Sequence, residues 1–124
     1  MLFNIEYKMF KGNIETLTIR NKNYRKVLYT DKYSQLALMT LMPGEDIPEE
    51  THDGSQFIRV ERGRGVCIRG GERILLKDGV AVEFAPGVHH YIKQTGKVPL
   101  HLYTKYSPPE HSPHLVQKRQ FSST

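Results

Sequence analysis

Four side chains with nitrogen or oxygen donors are spaced so that they could share one metal ion. Glu50 and His52 are two residues apart, so both side chains leave the same face of an extended chain. A turn over residues 53–55 can return Gln56 toward them, and His90 opens a later segment after a second turn. We therefore predict a metal site formed by Glu50, His52, Gln56 and His90.

The donor types indicate which ions suit this site. Two imidazoles, one carboxylate and one amide oxygen favour Mn, Fe, Co, Ni or Zn over calcium or magnesium, which prefer all-oxygen sites. Cys67 is the single cysteine, so the chain cannot build a thiolate cluster or an internal disulfide. With only Glu50 anionic, a divalent ion would keep a formal charge of about +1 and would attract a carboxylate, phosphate or enediolate oxygen. The metal's identity, and occupancy of a site with a neutral Gln56, stay open.

The elements that position these donors are expected to be β-strands. Apolar residues recur with period two along most of the chain, and this period is typical of strands. No window sustains the helical i, i+3, i+4, i+7 pattern. The pattern predicts an all-β protein. The predicted strands are residues 14–20, 24–30, 35–42, 56–61, 65–69, 73–77, 81–84, 90–94 and 100–106.

Turn residues separate the predicted strands, and Gly70-Gly71 is typical of a two-residue hairpin loop. A chain of 124 residues fits one domain, and many short strands predict a sandwich or barrel that hides sheet edges. We expect an N-terminal arm and first strand over residues 1–22, a barrel over 23–107, and a C-terminal extension over 108–124 with a mobile end.

Two spaced motifs resemble those of the cupin superfamily. Residues 44–63 read G-x5-E-x-H-x3-Q-x6-G, similar to the first cupin motif, G-x5-H-x-H-x3-E-x6-G. Glu50 stands at the first histidine of that motif and Gln56 at its glutamate. Residues 79–94 read G-x5-A-x-G-x2-H-x3-Q, similar to the second motif, G-x5-P-x-G-x2-H-x3-N, with His90 at the ligand position. Ala85 and Gln94 replace the usual proline and asparagine.

The resemblance extends over roughly residues 23–111, because segments 24–30 and 102–111 resemble a small single-domain subfamily often labelled mannose-6-phosphate isomerase-like. It implies a cupin jelly roll that binds metal. It also implies a Lewis-acid enzyme, isomerase-like or related, acting on a small oxygen-rich substrate such as a sugar or keto acid. A non-catalytic small-molecule-binding or structural dimeric cupin is the alternative, since cupins host many functions. No catalytic proton carrier is assigned.

Strand alternation divides the remaining side chains between the two faces. We expect Tyr24, Phe57, Tyr91 and Tyr103 to lie outward, where a second subunit could bury them, and we predict a homodimer. Cys67 is expected in the core. The side chains expected inward, with the metal ligands, are Ala37, Met39, Leu41, Ile58, Val60, Ile92, Leu100, Leu102 and Tyr106.

Three other histidines are not predicted to be ligands. His89 precedes His90 and should face the opposite side of its strand, at the surface or an interface. His111 and His114 lie among prolines in the C-terminal extension. His111 matches the subfamily and could cover the barrel mouth, but we expect both side chains to be solvent-exposed.

The charge and the termini bear on partners and location. The net charge is +5, but basic residues are scattered and usually neighbour acidic ones. Nucleic acid is therefore an unlikely partner, and a small anionic or oxygen-rich ligand is expected. The first residues lack the features of a secretory signal, and no apolar run approaches the ~18 residues of a membrane helix. These features predict a cytoplasmic protein that binds no membrane.

Overall fold

Two antiparallel β-sheets face each other in the computed structural model, which describes residues 9–121. One sheet has six strands in the order β10-β1-β2-β9-β4-β7, and the other has four in the order β3-β8-β5-β6. This arrangement confirms the predicted all-β jelly roll. The elements are α1 Ile14–Arg20, β1 Arg25–Thr30, β2 Gln35–Leu41, β3 Asp46–Glu50, β4 Ser55–Arg62, β5 Arg64–Arg69, β6 Glu72–Leu76, β7 Ala81–Phe84, β8 His90–Thr95, β9 Leu100–Ser107 and β10 Val116–Gln117.

The core lies between the sheets, where strand alternation predicted it. All nine side chains expected on the inward face are at most 1% exposed, and Cys67 is fully buried. The hairpin predicted at Gly70-Gly71 is also present, because Arg69 pairs with Glu72 across a two-residue turn. Removing this apolar surface from water supplies the main driving force for closing the two sheets on each other.

Residues 14–20 form helix α1, so the strand predicted there is wrong. Asn13 caps the helix by accepting a hydrogen bond from the Thr16 amide (3.0 Å), and the Thr18 hydroxyl donates to the Ile14 carbonyl (2.7 Å). Seven residues are too few to display a helical apolar period, whereas the asparagine cap followed by Glu15 in the first turn is a local helix signal. Within residues 9–121, no helix has the length and apolar character required to span a membrane.

Tyr24 is buried at 2% exposure, so its predicted outward position is also wrong. It precedes β1, where strand alternation does not apply, and its hydroxyl donates to the Asp46 carbonyl (2.7 Å) in the facing sheet. The other three aromatics are half-buried, and the Phe57 and Tyr103 rings lie 6.2 Å apart on one sheet.

The C-terminal strap, defined here as residues 108–121, leaves β9 and returns along β1. Gln35, fully buried, binds it at three points. Its amide nitrogen donates to the His111 carbonyl (2.8 Å), while its amide oxygen accepts from the backbone nitrogens of Glu110 (3.2 Å) and His111 (2.9 Å). The strap is thus held by buried polar contacts in addition to the packing of Leu115 against a buried apolar cluster.

The strap is also held at its far end, where the sequence offered little apolar surface for anchoring. The Gln120 side-chain amide donates to an Asp46 carboxylate oxygen (2.6 Å), and Arg119 forms an ion pair with Glu45 (3.0 Å). The end predicted to be mobile, residues 122–124, and the first eight residues of the predicted N-terminal arm lie outside the described residues.

Replacing Gln35 with alanine should destabilise the protein, because it leaves buried backbone groups of the strap without hydrogen-bond partners. We expect the free energy of unfolding to fall by about 2–3 kcal/mol, measured by urea denaturation. Lys105→Ala, an exposed change on β9, is the control and should stay within about 0.5 kcal/mol of the wild type. An equally small change in Gln35→Ala would contradict the role given to this glutamine.

Candidate metal centre

The four predicted donors come from both sheets and meet at one end of the sandwich. Glu50 ends β3 and pairs with His90, which begins β8. His52 lies two residues beyond β3, in the loop that leads to β4. Gln56 lies on β4 in the opposite sheet, where it is 1% exposed. The predicted start of the His90 strand is therefore confirmed, whereas His52 belongs to a loop rather than to a strand.

Two glycines hold the loop that carries His52. The Gly87 amide donates to the His52 carbonyl (2.8 Å), and Gly87 has φ +81°, a conformation that suits glycine. At Gly54 a Cβ atom would lie 2.1 Å from the Ser107 carbonyl oxygen, so only glycine allows this close approach. The turn of the second motif, which contains Gly87, therefore holds His52, a candidate ligand in the first motif.

Donor atoms of Glu50, His52 and His90 are close enough to share one ion, and Gln56 lies beside His90. Single ligand atoms of Glu50, His52 and His90 all lie within 4.8 Å of one another. A Glu50 oxygen lies 3.1 Å from His52 Nε2 and 3.9 Å from His90 Nε2, and the Gln56 amide oxygen lies 3.1 Å from His90 Nε2. Adjacent ligands about 3 Å apart are expected when metal–ligand bonds are about 2.1 Å long and meet near right angles.

His90 lies between two oxygen atoms, one beside each ring nitrogen. Its Nδ1 lies 3.1 Å from the Val88 carbonyl, and its Nε2 faces Gln56 Oε1. The Gln56 amide orientation is set because its nitrogen donates to the Thr104 hydroxyl (3.0 Å). Burial lowers the pKa of His90, which favours a neutral ring with one proton for two oxygens. With that proton on Nδ1 and donated to Val88, Nε2 would present a lone pair on the side of Gln56, where a cation would bind.

His52 has the same arrangement with a different outer partner. Its Nδ1 lies 3.1 Å from a Glu110 carboxylate oxygen, and its Nε2 lies 3.1 Å from a Glu50 oxygen. Each ring nitrogen of His52 therefore lies against a carboxylate oxygen, one from the site and one from the strap. This carboxylate–histidine pairing is typical of metal-ligating histidines. The chemistry and the spacing of the donors therefore fit a divalent ion.

Packing restricts the rotation of the His90 ring. The Phe84 ring stacks on it with centroids 4.0 Å apart and planes 3° from parallel. His90 is 1% exposed, whereas the Glu50 side chain is 30% exposed. The cluster thus has a rigid buried side and a side open to ligands.

The structure confirms the predicted positions of His89 and His114 and contradicts that of His111. His89 lies outward as predicted, with a side chain 70% exposed, and His114 is exposed. His111 is not solvent-exposed as expected, because its half-buried ring packs edge-on against Tyr106 with centroids 5.1 Å apart. The strap therefore packs against Tyr106 beside the candidate metal centre.

Two polar residues near the cluster were not singled out from the sequence. Glu110 lies in a proline-rich segment, and no local signal links it to His52. Arg25 is buried in β1, two residues before the buried Val27. A charge at an inward position of the alternation was a signal that could have identified Arg25.

A two-sheet jelly roll with imidazole and carboxylate side chains gathered at one mouth is typical of the class of β-barrel proteins to which cupins belong. Residues 37–106 match the family model described as Cupin domain. The chain therefore belongs to the cupin family, as its two motifs predicted.

Three proteins that are similar to this chain have names that state no activity. The uncharacterized protein YrkC of Bacillus subtilis is 39% identical over 111 residues, which cover 84% of this chain and 60% of YrkC. An uncharacterized protein of Acanthamoeba polyphaga mimivirus is 35% identical over 118 residues, covering 91% and 74%. The crystal structure of BH2720 from Bacillus halodurans has a TM-score of 0.87 at 36% identity and covers 90% of each chain. This chain thus spans less than two thirds of YrkC.

Acid should destabilise the protein through His111. Burial, then the charges of Arg25 and His52, lower the pKa of His111 to about 4. The unfolded chain, with a histidine pKa near ~6.5, takes up a proton that the folded chain refuses, so stability falls as the pH drops from about 6.5 to 4. His111→Gln should lose less stability across this window in urea denaturation.

Leu115→Ala, a non-titrating change in the same strap, is the control and should keep the wild-type pH dependence. An unchanged pH dependence in His111→Gln would show that this ring does not contribute to acid sensitivity.

Proposed function

We propose that this cupin binds one divalent transition metal, Mn, Fe, Co, Ni or Zn, through Glu50, His52, Gln56 and His90. We further propose that it acts as a Lewis-acid enzyme on a small oxygen-rich substrate such as a sugar or keto acid. The observation that carries the proposal is the convergence of ligand atoms from Glu50, His52 and His90 within 4.8 Å of one another, with the Gln56 amide oxygen 3.1 Å from His90 Nε2. Imidazole nitrogens together with carboxylate and amide oxygens are a donor set that suits these metals.

When bound, the metal would polarise a carbonyl or hydroxyl oxygen of the substrate. The chain's own residues have separate tasks. Glu50 supplies the one negative charge among the donors, so a divalent ion keeps a net positive charge that favours an anionic ligand. Glu110 and the Val88 carbonyl hold the two imidazoles in the tautomer that presents Nε2. Phe84 covers the buried side of the site and excludes water there.

Isomerisation is the reaction class we favour, and its support is the resemblance of the flanking segments to mannose-6-phosphate isomerase-like cupins. The second candidate is a non-catalytic small-molecule-binding or structural cupin. The neutral amide at Gln56, where the family motif has a glutamate, favours this second candidate. Turnover with one metal class supports the enzyme, whereas thermal stabilisation by a ligand without turnover supports the binding protein.

Homodimer formation stays a prediction. Its support on the surface is the half-buried pair of Phe57 and Tyr103, whose rings lie 6.2 Å apart on the outer side of the larger sheet. Aromatic side chains of this kind are enriched in protein interfaces.

Protein purified without chelators should contain close to one equivalent of a first-row divalent metal, measured by elemental analysis. His90→Ala should abolish binding, because it removes a buried nitrogen ligand. Gln56→Glu should tighten binding by about 10-fold or more, because it adds a negative charge to the donor set. Metal removal should also lower the melting temperature.

The matched control is His89→Ala, which removes the adjacent, exposed imidazole and should leave metal content unchanged. Equal metal loss in His89→Ala and His90→Ala would contradict the site, as would wild-type protein that binds none of the five metals.

Glu110→Gln should weaken metal binding by about 10- to 100-fold, because the neutral amide no longer holds the His52 Nδ1 proton by a charge-assisted bond. Competition with a fluorescent chelator measures the affinity. Glu83→Gln, an exposed change on β7, is the control. Unchanged affinity in Glu110→Gln would limit Glu110 to a structural contact of the strap.

A further inference from the structure

Arg25 is a buried cation without a counter-ion among the described residues. It is 9% exposed, and no carboxylate within residues 9–121 lies at ion-pair distance from its guanidinium. Its Nη1 donates to the Gln117 amide oxygen (3.2 Å), whereas its buried Nε has no hydrogen-bond partner. Arginine stays protonated at any physiological pH, so the charge persists. A buried, unpaired cation calls for an anion.

Tyr106 places a second unsatisfied donor in the same region. It is 1% exposed, and the proton of its buried hydroxyl has no acceptor among the described residues, although the Arg25 guanidinium lies against this hydroxyl. The hydroxyl is close enough to Arg25 and Glu50 for both charges to act on its pKa, which burial raises. It therefore remains a protonated donor.

Ring contacts connect this region to the metal donors. The Tyr106 ring meets the His52 ring edge-on with centroids 5.7 Å apart, and on another side it contacts His111 of the strap. Arg25 also acts electrostatically on His111. Arg25, Tyr106 and the strap thus form one wall beside the candidate metal centre.

We propose that Arg25 and Tyr106 form a subsite that binds the carboxylate of a small organic acid whose other oxygens reach the metal. The inference rests on the proposed function and narrows its substrate class to an acid bearing a carbonyl or hydroxyl group. With Nη1 held by Gln117, the Nε edge of the guanidinium is available as a two-donor fork, which matches the two oxygens of a carboxylate. A neutral sugar offers no charge to pair with Arg25.

The test compares 2-oxo and 2-hydroxy acids of three to six carbons with their methyl esters, which keep the shape and lose the charge. Binding to metal-loaded and to chelator-treated protein is followed by thermal shift and by NMR titration. Wild-type protein should bind at least one acid about 10-fold or more tightly than its ester. Arg25→Gln should remove that preference, and Tyr106→Phe should reduce it.

Lys26→Gln is the matched control, because it removes one positive charge from the next, exposed position of the same strand. It should keep the wild-type preference for acid over ester. Without acid, Arg25→Gln should melt at or above the wild-type temperature, since it removes an unpaired buried charge. A lower melting temperature with an unchanged acid preference would make Arg25 structural and overturn the proposal.

Two other results would overturn the subsite. One is a panel in which no acid binds the wild-type protein better than its ester. The other is a protein that binds a phosphorylated sugar through Arg25 but binds none of the carboxylic acids. Metal analysis separates this proposal from the proposed function. Acid binding that depends on Arg25, in protein that takes up no metal, would retain the subsite and refute the metal site. Metal uptake without acid binding that depends on Arg25 would retain the metal site and refute the subsite.

Discussion

The convergence of polar side chains from both sheets at one end of the sandwich is the constraint on which the rest of the site depends. His52 and His90 each lie 3.1 Å from one oxygen on each side of the ring. The outer oxygens come from Glu110 and Val88, and the inner oxygens come from Glu50 and Gln56. The fold must hold these polar groups close together, and a divalent cation would bind to the inner set.

The two-sheet architecture makes this arrangement rigid. Gln56 projects from one sheet and His90 from the other, so their contact depends on the apolar core that holds the sheets face to face. The His52 loop is fastened separately, through Gly87 and through the close approach of Gly54 to the Ser107 carbonyl. Side chains on a packed scaffold lose little conformational freedom when they bind an ion, which would favour metal binding.

The C-terminal strap adds a second layer to the site. It delivers Glu110 to His52 and His111 to Tyr106, and buried Gln35 holds both residues by their backbone. Gln117, where the strap pairs with β1, occupies one end of the Arg25 guanidinium. The strap therefore acts on three features beside the donors: the orientation of the His52 ring, the packing around Tyr106 and the hydrogen bonding of the buried Arg25.

The sequence by itself determined the β-class, the inward-facing core and the spacing of the four donors, because strand alternation and turn residues are local properties. It did not reveal helix α1, which is too short for a periodic signal, or the burial of Tyr24, which lies before its strand begins. Tertiary structure alone decided the partnership of His52 with Glu110 and the burial of Arg25 without a carboxylate partner among the described residues. These depend on a strap that crosses back over the barrel, and contacts between residues dozens of positions apart follow from packing rather than from any local pattern.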